Sequence, residues 1–249
     1  AGEAIVAVGH ALSPFVADAA AADLLLLPHG DEVHALEAGE VELVHQPGND
    51  PGRRLYTAKW TPASATLTAA DAAGRALQGA ALDRGALACA AGQLGVADRL
   101  IEMASAYACQ REQFGVPIGS FQAVKHMLAT AKVKLEYARP AVYRAAHSVA
   151  RGSGSRSVHT SMAKVMACDA AALAARTALQ VHGAIGYTWE QDLHIWMRRA
   201  WSLEMAWGRN AFHRRRVGAA ILAADARLGP GETFPDDAFA NHSKDEAGD

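Results

Sequence analysis

Residues 1–75 carry short apolar runs separated by turn formers. The runs are Ala4-Ile5-Val6-Ala7-Val8, Leu24-Leu25-Leu26-Leu27, Val41-Glu42-Leu43-Val44 and Leu55-Tyr56-Thr57. Between them lie Pro28-His29-Gly30 and the long turn-rich stretch Gln46-Pro47-Gly48-Asn49-Asp50-Pro51-Gly52. This rhythm predicts small antiparallel β structure. From Ala76 the period changes. Leu77 to Gln110 has apolar residues at three- and four-residue spacing and no proline, the pattern of a long amphipathic helix.

Gly115-Val116-Pro117 stops that pattern, and Ser120 is placed to cap a second helix, Phe121 to Arg151. Pro140 falls inside it and predicts a kink or a break. Gly152-Ser153-Gly154-Ser155 reads as a flexible link, followed by a third helix ending near His182 at Gly183 and Gly186. A fourth is predicted from Glu190 to Leu228. Four long helices with short connections make an up-and-down bundle. The fold class is therefore α+β, a C-terminal four-helix bundle over 76–228 preceded by a small β domain over 1–75. Residues 229–249 are acidic and polar and read as a disordered tail. The chain shows no internal repeats.

Composition narrows the function classes. With 51% hydrophobic and 20% charged residues, the 249-residue chain suits a soluble globular protein with a sizeable core. A net charge of -2 gives no basis for nucleic-acid binding, and Arg214-Arg215-Arg216 reads as a solvated helix face. No apolar run is long enough for a membrane span, and Leu24 to Pro28 is too short for the core of a secretory leader. Three cysteines, Cys89, Cys109 and Cys168, lack metal spacing and read as buried free thiols of a reducing, cytoplasmic compartment.

Candidate chemistry sits at two helix ends. Arg111 ends the first bundle helix, where its guanidinium could cap helix carbonyls or hold a phosphate in a bidentate fork. Gln113, Phe114 and Gln122 surround the same turn and add amide groups and an aromatic wall. The second segment is Gln180-Val181-His182-Gly183-Ala184-Ile185-Gly186. Its glycines allow a ligand to approach the backbone, or simply end a helix.

Together these residues resemble the acyl-CoA dehydrogenase family. Arg111-x-Gln113-Phe114-Gly115-x-Pro117-Ile118-x-x-Phe121-Gln122 is similar to its RxQFGxPIxxFQ signature, and Gln180 to Gly186 to its QxxGGxG turn, with Ala184 in place of a glycine. Tyr187-Thr188-Trp189-Glu190 and Asp192-Leu193-His194 match a subgroup carrying YTWE-x-DLH, where packing and helix N-terminal charge are the expected roles. Asp23-Leu24-Leu25-Leu26 after Ala22 is similar to a strand of the family's middle β domain, which makes 1–75 a partial copy of it. The family's N-terminal helical domain, and the early loop against the isoalloxazine ring, have no counterpart in these residues.

The resemblance implies FAD as cofactor, held across a subunit interface by Arg111, Gln113, Phe114, Gln122, Gln180, Val181, His182, Gly183 and Ala184. It implies α,β-dehydrogenation of an acyl-CoA thioester, with an electron-transferring flavoprotein as acceptor. In that chemistry a desolvated carboxylate removes the α-proton and the β-hydrogen leaves as hydride. Both family positions for the carboxylate lack one. Trp207-Gly208-Arg209 stands where the family has Glu-Gly-Thr, and the alternative position on the first helix is Gly85. Glu204 is expected to share a helix face with Trp207 and is the one candidate for a displaced base. Asp83 lies beside Gly85, with a surface or structural role expected. The leading expectation is a base-lacking subunit paired with a base-carrying acyl-CoA dehydrogenase subunit. A self-sufficient homo-oligomer using Glu204 and a non-catalytic flavin-binding scaffold are the alternatives.

Overall fold

The computed structural model describes residues 2–226; the expected tail and the predicted helix end at Leu228 lie outside the described residues. Seven short strands come first: β1 (Val6–Val8), β2 (Val16–Ala17), β3 (Leu24–His29), β4 (Glu32–Glu37), β5 (Glu42–Gln46), β6 (Leu55–Lys59) and β7 (Leu67–Ala69). They form a four-stranded sheet, β1-β3-β4-β7, and a three-stranded one, β2-β6-β5. All pairings within them are antiparallel except β1 with β3, which run parallel with Val8 opposite Leu26. That corrects the all-antiparallel expectation. Pro28 and His29 also belong to β3, so the turn is confined to Gly30 and Asp31, with Gly30 at φ 59°.

Side-chain alternation gives β3 two working faces. Leu25 and Leu27 are buried in a core with Ala7, Val16, Leu36 and Val41, between the two sheets. Leu26 and Pro28 point the other way, toward the helices, and line a cavity there.

The helices are α1 (Asp71–Gln110), α2 (Gln122–Ala150), α3 (Arg156–His182), α4 (Leu193–Met205) and α5 (Asn210–Ile221). At 40 residues α1 is about 60 Å long. Its first turns pack on the four-stranded sheet, tied by Arg75 to Asp31 (2.6 Å) and by the Gln78 amide donating to the Gly30 carbonyl (2.9 Å). The central helix is α3, which touches α1, α2, α4 and α5. Its inward positions are alanines at 163, 167, 170, 171, 174, 175 and 178, small enough for neighbouring backbones to close in on every side.

Three details depart from the periodicity. Pro140 does not break α2; it lies on the exposed side, while Leu135, Ala138 and Val142 hold the buried face on α1 and α3. Ser120 is not the cap of α2, because it sits in a 3-10 turn and its hydroxyl donates to the Pro117 carbonyl at 2.7 Å. The predicted fourth helix is two helices. They meet at an elbow over 206–209, where Trp207 has φ 55° and Gly208 φ 93°, values that no α-helix accommodates. Cys89 and Cys168 are buried free thiols as expected, but Cys109 is exposed.

Candidate functional site

At the end of α1 the Arg111 N–H still donates to the Tyr107 carbonyl (2.8 Å), and the chain then leaves the helix. It makes a hairpin of two-residue strands, β8 (Glu112–Gln113) and β9 (Val116–Pro117). The connecting residues Phe114 and Gly115 have φ 55° and 78°, the double left-handed signature of a tight hairpin turn. Glycine takes this without cost; phenylalanine does not. The Phe114 ring is 93% exposed and meets Phe121 edge-on at 6.3 Å. The Gln113 amide donates to the Glu112 carbonyl (2.9 Å). Arg111 and Gln122 are exposed, and neither side chain has a protein partner among the described residues. The turn thus presents an unpaired guanidinium, an unpaired amide and a bare aromatic ring.

The second segment ends α3. Gly183 has φ 62°, and a Cβ built there would meet nothing within 4 Å. Gln180, Gly183 and Ala184 face solvent, whereas Val181 and His182 are buried. The His182 Nδ1–H donates to the Ala178 carbonyl (2.7 Å), and its ring stacks on Tyr107 at 4.4 Å and 19°. That stack fixes the end of α3 against the end of α1. It brings the two segments, far apart in sequence, to one end of the bundle.

Of the following residues Leu193 packs in the core as expected, but the aromatic ones do not enter it. Tyr187 and Trp189 are 78% and 73% exposed. Trp189 carries the Arg198 guanidinium over its ring at 4.4 Å and meets His194 edge-on.

The expected base positions converge elsewhere. Trp207 lies directly over Gly85; a Cβ at 85 would overlap indole carbons Cδ2, Cε2 and Cε3. Beside them is an apolar cavity of about 570 Å³ between α1 and the four-stranded sheet, walled by Val8, Leu26, Val33, Leu77, Ala81 and Trp207. A second cavity, about 290 Å³, lies between the three-stranded sheet and α4, against Phe15, Arg53, Arg198, Trp201 and Ala206.

Because α4 ends at Met205, Glu204 and Trp207 share no helix face, and Glu204 lines neither cavity. Its carbonyl, with that of Leu203, accepts from the fully buried Lys164 ammonium (3.1 and 2.9 Å). Asp83 is buried too. It accepts from Arg216 (3.0 Å) and from the Ser157 hydroxyl (2.6 Å). Arg216 is therefore an internal ion-pair partner rather than part of a solvated basic face. Its neighbour Arg214 pairs with Asp169 at 2.6 Å.

Against this geometry the comparisons are decisive. The family "Acyl-CoA dehydrogenase, C-terminal domain" matches residues 72–222. The chain belongs to the acyl-CoA dehydrogenases. Members of this family are FAD-dependent oxidoreductases.

Among curated acyl-CoA dehydrogenases, FadE34 of Mycobacterium tuberculosis is 35% identical over 82% of this chain, and IpdE2 of Mycolicibacterium smegmatis 34% over 84%. The chain spans 28% and 61% of those proteins' lengths. The butyryl-CoA dehydrogenase of Megasphaera elsdenii has the same fold, at TM-score 0.76 and 25% identity over 88% of this chain and 63% of its own. The ChsE4-ChsE5 complex of Mycobacterium tuberculosis aligns at TM-score 0.72 and 26% identity over 91% of this chain and 65% of that one. Among its described residues the protein has no helix long and apolar enough to cross a membrane.

No motif in the sequence singles out the fully buried His213, whose Nε2 lies 2.9 Å from the Trp207 carbonyl and whose Nδ1 lies 3.1 Å from the Ser161 hydroxyl. Burial lowers its pKa to about 4 against the Trp207 hydrogen bond, with Lys164 and Arg216 pushing the same way. Gly85 costs about 1 kcal/mol against alanine inside a helix, but Gly79 and Gly95 of the same helix have nothing within 4 Å, so a glycine there does not by itself announce a contact.

Proposed function

We propose that this chain is the half of a heteromeric acyl-CoA dehydrogenase that clamps a neighbour's FAD and carries no base of its own. The observation behind it is the contrast between Arg111 and Trp207. One is an exposed guanidinium with no partner among the described residues; the other fills with indole the position where a proton-abstracting carboxylate would stand.

The donor set fits the cofactor. A planar guanidinium takes a pyrophosphate in two parallel hydrogen bonds. Gln113, Gln122 and Gln180 supply amide donors and acceptors, Phe114 an aromatic face, and Gly183 with Ala184 a stretch of open backbone. Val181 and His182 hold that stretch from inside. Bound FAD would supply hydride acceptance; the α-proton would be removed by a carboxylate on the partner subunit. The acceptor of this reading is an electron-transferring flavoprotein, the substrate an acyl-CoA thioester, and the setting a reducing cytoplasm that suits three free thiols.

The test is to purify the chain alone and with its candidate base-carrying partner, then add acyl-CoA and follow bleaching of FAD absorbance. Bleaching is expected only with the partner present. Bleaching by the chain alone would overturn the reading, and Glu204→Gln would then ask whether that residue is the base. Arg111→Ala should release FAD from the complex; unchanged flavin content would contradict the clamp.

A further inference from the structure

A polar cluster in the four-stranded sheet is left unused by flavin chemistry. Alternation along β4 turns Val33 toward the helices and His34 to the other face, opposite Leu27 of β3. His34 is 2% exposed, and both ring nitrogens have partners. Nδ1 lies 3.0 Å from the Thr66 hydroxyl, and Nε2 lies 3.1 Å from Glu32 Oε2. The Thr66 hydroxyl in turn donates to the Ala63 carbonyl at 3.0 Å. His29 reaches the same Glu32 oxygen with a long contact of 3.5 Å. Trp60 stands against the group, its ring centre 5.0 Å from that of His34 and 6.3 Å from that of His29.

These contacts do not balance with a neutral imidazole. His34 with Thr66, His34 with Glu32 and Thr66 with Ala63 each need one proton. A threonine hydroxyl brings one, a neutral imidazole one and a carboxylate none. The missing third is not on Glu32, whose carboxyl is held below the usual carboxylate range by its hydrogen bond with His34 and then by that with His29. A doubly protonated imidazole supplies it, since both of its nitrogens donate. With one proton fewer, the remaining N–H of His34 stays on the carboxylate, because the other tautomer would aim a lone pair at it. The Thr66 hydroxyl then turns from Ala63 to the bare Nδ1, and the Ala63 carbonyl keeps only the backbone N–H of Thr66, at 3.1 Å.

We propose that His34 is a proton-operated clasp on the connection between β6 and β7. Doubly protonated, it ties Glu32 of β4 to Thr66 and closes residues 60–66 onto the sheet; singly protonated, it takes the Thr66 hydroxyl from Ala63 and loosens that connection. The opposite charge that meets the ring is that of Glu32, with His29 on its far side. Glu40, Glu42 and Lys59 line the groove beside Trp60 and Thr66, where Lys59 pairs with Glu42 at 2.7 Å. From α1 the uncharged Gln78 amide donates to the Glu32 carbonyl (3.3 Å), and Arg75 pairs with Asp31 (2.6 Å).

The clasp is tested on the full chain by the emission of Trp60, taken as the difference between wild type and Trp60→Phe. The range is about pH 5 to 8, where imidazoles exchange protons. A protonated imidazole against an indole quenches it, so emission should rise about twofold in one step as pH rises. The step should vanish in His34→Gln and persist in His29→Gln. Thr66→Val removes an acceptor of the charged ring and Glu32→Gln its counter-charge, so both should move the step to lower pH, Glu32→Gln further. Chymotryptic cleavage after Trp60, normalised to a free peptide of the same sequence, should quicken about tenfold across the same step. The proposal is overturned by a flat emission profile, by a step that survives His34→Gln or is lost in His29→Gln, by a midpoint unmoved in both Thr66→Val and Glu32→Gln, or by cleavage at a constant rate.

Discussion

The hairpin end of the bundle and the elbow lie on the same helices and solve opposite problems. At the hairpin, polar groups are left open: Arg111, Gln122 and Gln180 have no side-chain partner among the described residues, and Phe114 is bare. At the elbow, burial, strain and hydrogen bonds all converge to fix one side chain, Trp207, on one glycine. Both contain a left-handed aromatic residue, Phe114 and Trp207, each at φ 55°. The difference is what the strain is used for. An exposed strained residue surrounded by unpaired donors leaves those groups open to solvent. A half-buried one held by internal contacts has already been given its ligand by the fold itself.

Four substitutions or titrations would break or sharpen that contrast. The largest effect belongs to the elbow's foundation. Asp83→Ala leaves the half-buried Arg216 without its carboxylate, and urea unfolding should show a loss of about 3–5 kcal/mol. A loss below about 1 kcal/mol would mean that the pair is solvated and the elbow loosely founded.

Next is pH. The His213 imidazole is lowered from 6.5 to about 4, mainly by burial, with Lys164 and Arg216 opposing its protonation and Asp83 favouring it. Between those values only the unfolded chain binds the proton, so stability should climb with pH from about 4 to 6.5 and level off above. The climb attributable to this residue is about 3 kcal/mol. It is read as the difference between the pH-stability curves of wild type and His213→Gln, and parallel curves would mean that the imidazole does not hold the elbow.

At the hairpin the signs reverse. Phe114→Asn relieves a left-handed phenylalanine and should raise stability by up to about 1 kcal/mol while weakening FAD retention. A loss of stability instead would show that the ring packs on its own chain. Smallest of all is Arg111→Ala. Its effect on unfolding should stay within about 0.5 kcal/mol, because the guanidinium bonds to nothing among the described residues. A larger cost would place Arg111 among the structural residues.

Much of the site was legible because its chemistry is local. RxQFGxPIxxFQ is a contiguous turn, and the residues that would meet a cofactor there are read directly from it. Helix ends at Gln110 and His182 were legible too, since glycine and proline punctuate them. The elbow was not. Residues Leu193 to Ile221 carry helical periodicity, and the lone Gly208 is too weak a local signal to say that Trp207 turns aside. That break follows from tertiary competition: Lys164, far back on α3, takes the Leu203 and Glu204 carbonyls, and His213 takes that of Trp207. The solvated reading of Arg216 failed in the same way, because Asp83 waits for it from another helix.

By itself, then, the sequence determined the α+β architecture, the family and the absence of a carboxylate at both expected positions. These are properties of single residues and of periodicity, which depend on neighbours along the chain. Only the tertiary structure decided that the two positions without a base are one place. Trp207 and Gly85 meet because α1 and the α4–α5 elbow pack side by side, and a glycine's empty volume has no meaning until another helix brings something to fill it.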